Sequence, residues 1–390
     1  MEKKKRRSRP RAIGCRRLFL AAGIVLSLLC SLPIVLTLPE LQWHIDHNVR
    51  PPIIAPAPAS KESDLIAFIC GGIYKNPRSA VYVIHSDGSQ LRQIHARPRM
   101  SFANLSWSPD GYWMAVLAER DFFVLPSNEK FEIFRIRFDG LDYKRLTYNR
   151  FREIAPRWSK DGKSISFVHR GNLHRISDNG QEISRSYRSR IVARPWDRRP
   201  FDWSADDQRI IATGNYDALV YGSDPDGSDW RVLTRTGTYL SDVAWAPNDE
   251  QIMYFGHGLG LEYSELAVFN VKEQVEEFSL KMEFIYDAQW SPNGKWIAIK
   301  GEKLDEGEGI HIFLLDVDTA VVDYVKRLDT GKLGDISWSP DSEWIAFSVY
   351  DYLFEDEYIS RMFKIKRDGR DLQRLTDMDC TIEEISWSPK

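Results

Sequence analysis

Two groups of charged side chains are the part of the sequence best suited to binding chemistry. The basic group, which includes a tryptophan, consists of Arg185, Arg188, Arg190, Arg194, Trp196, Arg198 and Arg199. The acidic group consists of Asp351, Glu355, Asp356 and Glu357. Guanidinium groups bind carboxylates and phosphates through paired hydrogen bonds and also stack on aromatic rings. These residues are therefore candidate contacts for a charged ligand, with solvated loop charges as the simpler alternative.

Signatures of catalysis are missing from the sequence. It contains no Gly-x-Ser-x-Gly turn, no His-Glu-x-x-His pair and no phosphate-binding glycine-rich loop. His169 and His174 are close enough to ligate a metal together, but isolated imidazoles are the commoner outcome. The run from Asp224 to Asp229 begins like a calcium loop, yet Arg235 stands where that motif requires glutamate. We therefore interpret the run as a turn and expect no catalytic, metal-binding or cofactor-binding residues.

A repeated turn organises most of the chain. Its fullest form is Trp-Ser-Pro-Asp-Gly, in which Pro fixes φ at the first corner and Gly supplies the positive φ that closes a tight hairpin. The tryptophans that begin the seven copies are 42 to 51 residues apart: Trp107, Trp158, Trp203, Trp245, Trp290, Trp338 and Trp387.

Short apolar runs that suit β-strands surround each turn. Residues 344–347 read Trp-Ile-Ala-Phe, residues 362–365 precede an Asp-Gly turn, and residues 374–376 read Arg-Leu-Thr. The aromatic content of 12% also favours strands over helices. Four antiparallel strands in about 45 residues, repeated along the chain, are typical of β-propeller blades. The sequence therefore predicts an all-β propeller.

These motifs resemble the TolB-like propeller repeat, a WD-type repeat that also occurs in relatives of prolyl oligopeptidase and dipeptidyl peptidase. The resemblance covers about residues 63–390. It implies a propeller fold in which the repeated tryptophans are structural wedges between blades. TolB itself has six blades and an additional N-terminal domain, and this chain departs from it in both respects.

The ring is expected to close through the two ends of the chain. Trp387 has no strand behind it, while residues 65–68 match the second strand of the other copies. We therefore predict seven blades, the last assembled from residues 387–390 and 63–106. Cys70 and Cys380 both belong to this blade. Because disulfide geometry is narrow, we expect two unpaired thiols slightly out of register, with a bridge that fastens the ring as the alternative.

Successive strands of a blade run in opposite directions, so the connections between them alternate between two faces of the predicted ring. The Trp turns lie on one face, here called the turn face. The connections between second and third strands, and those between blades, lie on the other, here called the loop face. The basic and acidic groups both belong to the loop face, which is therefore the candidate surface for a protein, peptide or glycan partner.

A membrane anchor is predicted ahead of the propeller. Residues 1–17 carry nine Lys or Arg, residues 18–38 are an uncharged apolar run, and residues 39–62 are rich in proline. About 20 apolar residues cross a bilayer as a helix, and the basic flank stays in the cytoplasm. We therefore expect a single-pass protein whose propeller (63–390) lies outside the cytoplasm. A cleaved signal peptide is the alternative, disfavoured by the length of the run.

Charge and motifs together favour a binding protein. The net charge is −3 although the N-terminal segment is strongly basic, so the propeller is acidic and nucleic-acid binding is not expected. We expect a non-enzymatic scaffold for a protein, peptide or envelope ligand. The alternative is a hydrolase or lyase that acts on peptides or polysaccharides at the central channel. A regulator of a separate peptidase is less favoured, because the sequence shows no catalytic domain.

Overall fold

The described part of the chain consists of strands, turns and loops. The computed structural model describes residues 64–71, 79–96, 100–120, 131–148, 152–186, 199–214, 219–224, 229–236, 238–258, 263–302, 310–327, 332–352, 358–378 and 380–389. Within these ranges the strands form seven four-stranded antiparallel sheets. No helix among them has the length and apolar character needed to cross a bilayer. The predicted basic segment (1–17), transmembrane helix (18–38) and linker (39–62) lie outside the described residues.

One blade is assembled from both ends of the described chain, and the other six are continuous in sequence. Blade 7 contains β1 (Leu65–Gly71), β2 (Ser79–His85), β3 (Arg92–Ala96) and, as its inner strand, β28 (Thr381–Trp387). Blade 1 contains β4 (Met100–Trp107), β5 (Trp113–Arg120), β6 (Glu132–Arg137) and β7 (Tyr143–Arg145). Blade 2 contains β8 (Glu153–Trp158), β9 (Ser164–His169), β10 (Asn172–Ser177) and β11 (Glu182–Ser186). Blade 3 contains β12 (Phe201–Trp203), β13 (Ile210–Thr213), β14 (Leu219–Ser223) and β15 (Arg231–Arg235).

The remaining three blades repeat the same order. Blade 4 contains β16 (Thr238–Trp245), β17 (Gln251–Gly258), β18 (Ser264–Asn270) and β19 (Val275–Met282). Blade 5 contains β20 (Phe284–Trp290), β21 (Trp296–Glu302), β22 (His311–Asp316) and β23 (Val322–Arg327). Blade 6 contains β24 (Lys332–Trp338), β25 (Trp344–Tyr352), β26 (Tyr358–Lys366) and β27 (Gln373–Met378).

The first and last described strands close the ring, which confirms the predicted seven-bladed arrangement. Ile66 of β1 pairs with Trp387 of β28 in an antiparallel register. Ser388 N–H donates to the Leu65 carbonyl oxygen at 2.8 Å, and Trp387 Nε1 donates to Asp64 Oδ1 at 2.9 Å. Pairing β1 with β28 satisfies backbone groups that an open array would leave exposed at a sheet edge.

A disulfide joins Cys70 to Cys380 within this closing blade, with the two Cα atoms 5.7 Å apart. That separation is within the range that disulfides span. The sequence favoured unpaired thiols because the two cysteines were expected to be slightly out of register. A β-bulge shifts the register of β28 by one residue and so brings Cys380 closer to Cys70. Ile69 pairs with Glu384 and Cys70 pairs with Ile382, so Glu383 has no partner in β1. The bridge therefore depends on an irregularity that the repeat pattern does not show.

The hydrophobic core lies between the blades. Seven apolar clusters occupy the seven junctions between consecutive blades of the described ring. Strand β1 shows why: Leu65, Ala67 and Ile69 face blade 1, whereas Ile66 and Phe68 face blade 6. Because side chains alternate between the two faces of a strand, a strand between two neighbours is apolar on both sides. Its seven residues are accordingly all buried.

The Trp turns are held by one repeated hydrogen-bond pattern. In the first copy, Gly111 N–H donates to the Ser108 carbonyl oxygen at 2.9 Å, and Trp113 N–H donates to Ser108 Oγ at 2.9 Å. Two copies place aspartate at the glycine position, Asp207 and Asp249, with φ of 55° and 59°. The Asp207 carboxylate accepts hydrogen bonds from Lys160 N–H and Asp161 N–H of the preceding blade, both at 2.8 Å. Aspartate therefore joins neighbouring blades at a position where glycine would be less strained.

Replacing this aspartate tests the contribution of the bonds between blades. We expect Asp207→Gly to lower the free energy of unfolding by about 1–2 kcal/mol, because two hydrogen bonds to a carboxylate are lost while some left-handed strain is relieved. Ser342→Gly is the matched control: Ser342 also has a positive φ (63°) but accepts one hydrogen bond, from Asn293 N–H at 3.1 Å. Urea unfolding followed by tryptophan fluorescence should show a smaller loss for Ser342→Gly. Equal losses would contradict the assignment.

Candidate functional site

The predicted ligand-binding residues fall mostly outside the described part of the chain. Those outside it are Arg188, Arg190, Arg194, Trp196, Arg198, Glu355, Asp356 and Glu357. Residues 225–228, within the run interpreted as a turn, are outside it as well. Arg185 lies in β11 and Asp351 lies in β25. The side chain of Arg199 is described, and it lines a cavity together with residues of several inner strands. The basic and acidic groups on the loop face therefore stay a prediction. Arg199 is the member of the basic group whose side-chain contacts can be described, and these contacts lie in the channel.

Arg199 spans the channel at the start of blade 3. Its Nη2 donates to Asp287 Oδ1 and, at 2.6 Å, to the Ala288 carbonyl oxygen, both in blade 5. Its Nε lies 3.6 Å from Asp242 Oδ2 in blade 4, and its backbone N–H donates to Asp242 Oδ1 at 3.0 Å. The side chains of Asp242 and Asp287 are only 5% and 3% exposed. One guanidinium therefore compensates two buried carboxylates and connects three blades.

An arc of acidic residues lines the channel, and sequence reasoning missed it. Each acidic residue lies three positions before the tryptophan that ends the inner strand of its blade. The four residues are Asp242, Asp287, Asp335 and Glu384. Asn104 holds the equivalent position in blade 1. Aligning the seven copies on their tryptophans would have revealed polar residues at this position in five of them, with Ala155 and Pro200 in the other two.

Two carboxylates of the arc bond to backbone groups of the next blade. Glu384 Oε1 and Oε2 accept hydrogen bonds from Asn104 N–H and Leu105 N–H, each at 2.7 Å. Asp335 Oδ2 accepts one from Ile385 N–H at 2.9 Å. Several inner strands carry a β-bulge at this level, which leaves backbone N–H groups outside the regular ladder. The acidic arc therefore satisfies those groups and links the blades to one another.

Arg157 is the second cation of the channel and comes from β8 of blade 2. Burial lowers the pKa of its guanidinium, repulsion from Arg199 adds to that shift, and the carboxylates of Asp202, Asp242 and Glu384 oppose it. Arg157 lines a cavity of about 130 Å³, together with Asn104, Gln289, Asp335, Ser337 and Glu384. Cations on blades 2 and 3 thus face carboxylates on blades 6 and 7 across the cavity.

A histidine cluster lies at the loop-face end of blade 2. His169 Nδ1 is 3.0 Å from Glu153 Oε2, and the Glu153 side chain is fully buried. The His169 and His174 rings meet edge to face with centroids 5.2 Å apart, and His174 Nδ1 is 3.7 Å from Glu182 Oε1. Among the described residues, no group of three or more His, Cys, Asp or Glu is arranged to hold a metal ion. The cluster therefore pairs each imidazole with a carboxylate.

Three exposed tyrosines mark the described part of the loop face. Tyr148 follows blade 1, and Tyr239 and Tyr286 lie in the first residues of the inner strands of blades 4 and 5. Their exposed fractions are 73%, 42% and 45%. The Tyr286 hydroxyl donates to Glu302 Oε1 at 2.7 Å. Burial, together with this hydrogen bond, raises the pKa of Tyr286, so its hydroxyl stays protonated at neutral pH.

Comparisons with known proteins place the chain among the β-propellers. TolB from Acinetobacter baumannii is 16% identical, with a TM-score of 0.52 over 85% of this chain and 68% of that one. A protein named as a 6-phosphogluconolactonase, from Bacteroides uniformis, is 12% identical, with a TM-score of 0.56 over 83% of this chain and all of that one. Identities this low establish the fold alone, which is that of a TolB-like seven-bladed propeller.

Sequence comparison finds relatives at low identity. No protein-family model matches the chain. A protein of Sulfurisphaera tokodaii, named as a Tricorn-like protease C-terminal subunit, is 20% identical over 279 residues, which cover 68% of this chain and 30% of the relative. Protein HIR1 of Cryptococcus neoformans is 24% identical over 161 residues, which cover 36% of this chain and 18% of that protein. The chain therefore spans less than a third of the length of these curated relatives.

Proposed function

We propose that the chain is a membrane-tethered propeller outside the cytoplasm that binds a protein or peptide partner through its loop face. The exposed tyrosines Tyr148, Tyr239 and Tyr286 carry this proposal. Tyrosine is enriched in protein interfaces because its ring buries a large apolar area while its hydroxyl still finds a hydrogen-bond partner. The charged groups predicted on the same face would add selectivity and faster association with a partner of complementary charge.

The bonding of the channel carboxylates favours binding over catalysis. A catalytic carboxylate must direct an oxygen at a reacting atom. In the acidic arc, by contrast, Glu384 and Asp335 bond to backbone N–H groups of a neighbouring blade, and Asp287 and Asp242 contact Arg199. These contacts connect neighbouring blades and therefore stabilise the ring. For this reason we place partner recognition on the loop face rather than in the channel.

The tether and the compartment rest on the sequence and on one structural observation. The apolar run of residues 18–38 after a basic segment supports a single span with the propeller on the far side. The Cys70–Cys380 disulfide supports the same location, because disulfides persist in oxidising compartments.

A hydrolase is the second candidate function. It is favoured by the pair of His169 and the fully buried Glu153, because a buried carboxylate at one imidazole nitrogen orients the ring as a general base. The names of two similar proteins, a Tricorn-like protease subunit and a 6-phosphogluconolactonase, belong to the same class of chemistry. Cleavage of a peptide or sugar ester by the purified chain, lost in His169→Gln, would support this candidate over the first.

Removing the loop-face tyrosines tests the proposed binding surface. We expect the triple variant Tyr148→Ser, Tyr239→Ser, Tyr286→Ser to reduce partner capture about ten-fold or more, since central aromatic contacts carry much of the energy of an interface. Capture is measured as the yield of covalent adducts after chemical crosslinking in intact cells, followed by mass spectrometry.

A second triple variant supplies the matched control. Tyr112, Tyr143 and Tyr324 have similar exposed fractions of 38%, 39% and 41%, but they lie in a Trp turn or on outer strands, away from the loop-face ends of the inner strands. Replacing these three with serine should leave the crosslinking yield unchanged. The same yield from both triple variants would contradict a binding surface on the loop face.

A further inference from the structure

The outer strand of blade 4 is the longest open sheet edge in the described ring. Every blade ends in an outer strand that pairs on one side only, and these strands are β3, β7, β11, β15, β19, β23 and β27. Strand β19 has eight residues, whereas the other six have between three and six. The unpaired backbone N–H and C=O groups of such an edge are a template for another strand. Strand β19 is therefore the edge best suited to receive one.

The side chains of β19 alternate between two faces, and one of these faces is apolar. Phe278 and Leu280 pack against the apolar cluster between blades 4 and 5, to which Met282 belongs. Val275 lies on the same face, because a β-bulge inserts Glu277 as an extra residue and shifts the alternation by one position. This face of β19 therefore presents an unbroken row of apolar residues.

The opposite face of β19 carries one charge of each sign around a serine. Glu276 lies near the start of the strand, Ser279 in its middle and Lys281 near its end. The Glu276 carboxylate accepts a hydrogen bond from the Tyr254 hydroxyl at 2.8 Å, and Lys281 Nζ lies 4.5 Å from the centroid of the Tyr263 ring. Tyrosine is uncharged at neutral pH. Within the described ranges neither Glu276 nor Lys281 forms a salt bridge, so both charges remain available to a partner.

The order of these side chains makes β19 complementary to itself. Two antiparallel copies related by a two-fold axis place one residue opposite its own copy. When that residue is Ser279, each apolar side chain meets an apolar one on the same face, and each charge meets its opposite. The opposed pairs are then Val275 with Met282, Glu276 with Lys281, and Phe278 with Leu280. Such cross-strand pairs stabilise a sheet.

Neighbouring registers lack this match. An axis at Leu280 would place Glu276 opposite Glu283, and like charges directly opposite each other are destabilising. An axis at Phe278 would place Glu276 opposite Ser279 and leave Lys281 without a carboxylate across from it. The charges therefore favour a single register.

We propose that two copies of the chain pair through β19 about a two-fold axis at Ser279, which joins two four-stranded blades into one eight-stranded sheet. This interface goes beyond the proposed function, since the tyrosines of the proposed binding surface do not belong to β19. Backbone hydrogen bonds supply most of the affinity, as in other cases of strand addition, and the exposed charges select the partner and the register. A contact made by one strand is small, so the association is reversible.

Cysteine crosslinking of the full chain, purified in detergent, tests the pairing. Directly opposed residues of antiparallel strands have Cα atoms about 4.5 or 5.5 Å apart, and disulfides span both distances. With a mild oxidant, we expect Ser279→Cys to form a disulfide between two copies about ten times faster than Asp323→Cys. Asp323 is the matched control, because it is also exposed and lies in an outer strand, β23 of blade 5. Equal rates for the two variants would overturn the proposal.

The other cysteines are controlled in the same experiment. Both variants also carry Cys15→Ser and Cys30→Ser, so that the introduced cysteine is the one thiol outside the Cys70–Cys380 bridge. Any association through the N-terminal apolar run is common to both variants and cancels in the comparison.

Exchanging the charges tests the register. In the Ser279→Cys chain, Lys281→Glu places like charges opposite each other and should slow crosslinking about five-fold or more. Adding Glu276→Lys reverses both charges and should restore most of the original rate. Circular dichroism would show that both variants are folded. An unchanged rate in Lys281→Glu, or no recovery in the folded charge-exchanged variant, would overturn the proposed pairing.

Discussion

Removing the Cys70–Cys380 disulfide is expected to lower the free energy of unfolding by about 2–4 kcal/mol. The bridge closes a loop of 310 residues and joins β1 to the segment that leads into β28. In the unfolded chain a crosslink between such distant residues removes many conformations, which raises the free energy of the unfolded state. In the folded ring it holds together the one blade that is assembled from two distant parts of the chain.

The double variant Cys70→Ala, Cys380→Ala measures this contribution. Urea unfolding should show a lower midpoint for the variant than for the oxidised protein, and dithiothreitol should lower the midpoint of the native sequence but leave the variant unchanged. Native and variant proteins with the same midpoint would show that β1 and β28 hold the ring closed without the bridge. Trapping free thiols in intact cells would show in addition whether the bridge forms there, as an oxidising compartment requires.

Much of the fold could be predicted because each blade repeats its local signals. The turn at 107–111 combines a φ fixed by Pro with a positive φ at Gly, and such chemistry determines a hairpin within a few residues. Closure could be predicted as well, because residues 65–68 match the strand that the last tryptophan lacks. The disulfide could not, because the bulge at Glu383 shifts the register by one residue and leaves no mark on the repeat.

The candidate site was less accessible to sequence reasoning, for two physical reasons. The acidic arc does leave a signal, because a polar residue stands three positions before five of the seven tryptophans, but such a column does not reveal which groups its members contact. The contact of Arg199 with Asp287 joins residues from blades that are not neighbours. It depends on the width of the channel and on the reach of an arginine side chain, and neither is encoded in local spacing. The basic and acidic groups of the loop face remain predictions.

Arg199→Ala is expected to lower the free energy of unfolding by about 3 kcal/mol at neutral pH. The loss arises from the carboxylates left behind, because Asp242 and Asp287 are almost fully buried and would lose the guanidinium that both of them contact. Arg370→Ala is the matched control. Arg370 also contacts an aspartate, Asp368, but its side chain is 80% exposed, and exposed ion pairs contribute little to stability.

The pH dependence of the Arg199→Ala variant separates this electrostatic cause from a simple loss of packing. An unpaired buried carboxylate binds a proton more readily in the folded protein than in the unfolded chain, so its cost is greatest at neutral pH and falls as the pH is lowered toward 4. The stability difference from the native sequence should therefore shrink in acid, and Asp287→Asn combined with Arg199→Ala should recover part of it at pH 7. A difference that stays constant from pH 7 to pH 4, measured by urea unfolding, would instead mean that Arg199 acts by filling the channel. In that case Asp242 and Asp287 would need no cation beside them, and the other contacts of these carboxylates would be enough to keep them inside the ring.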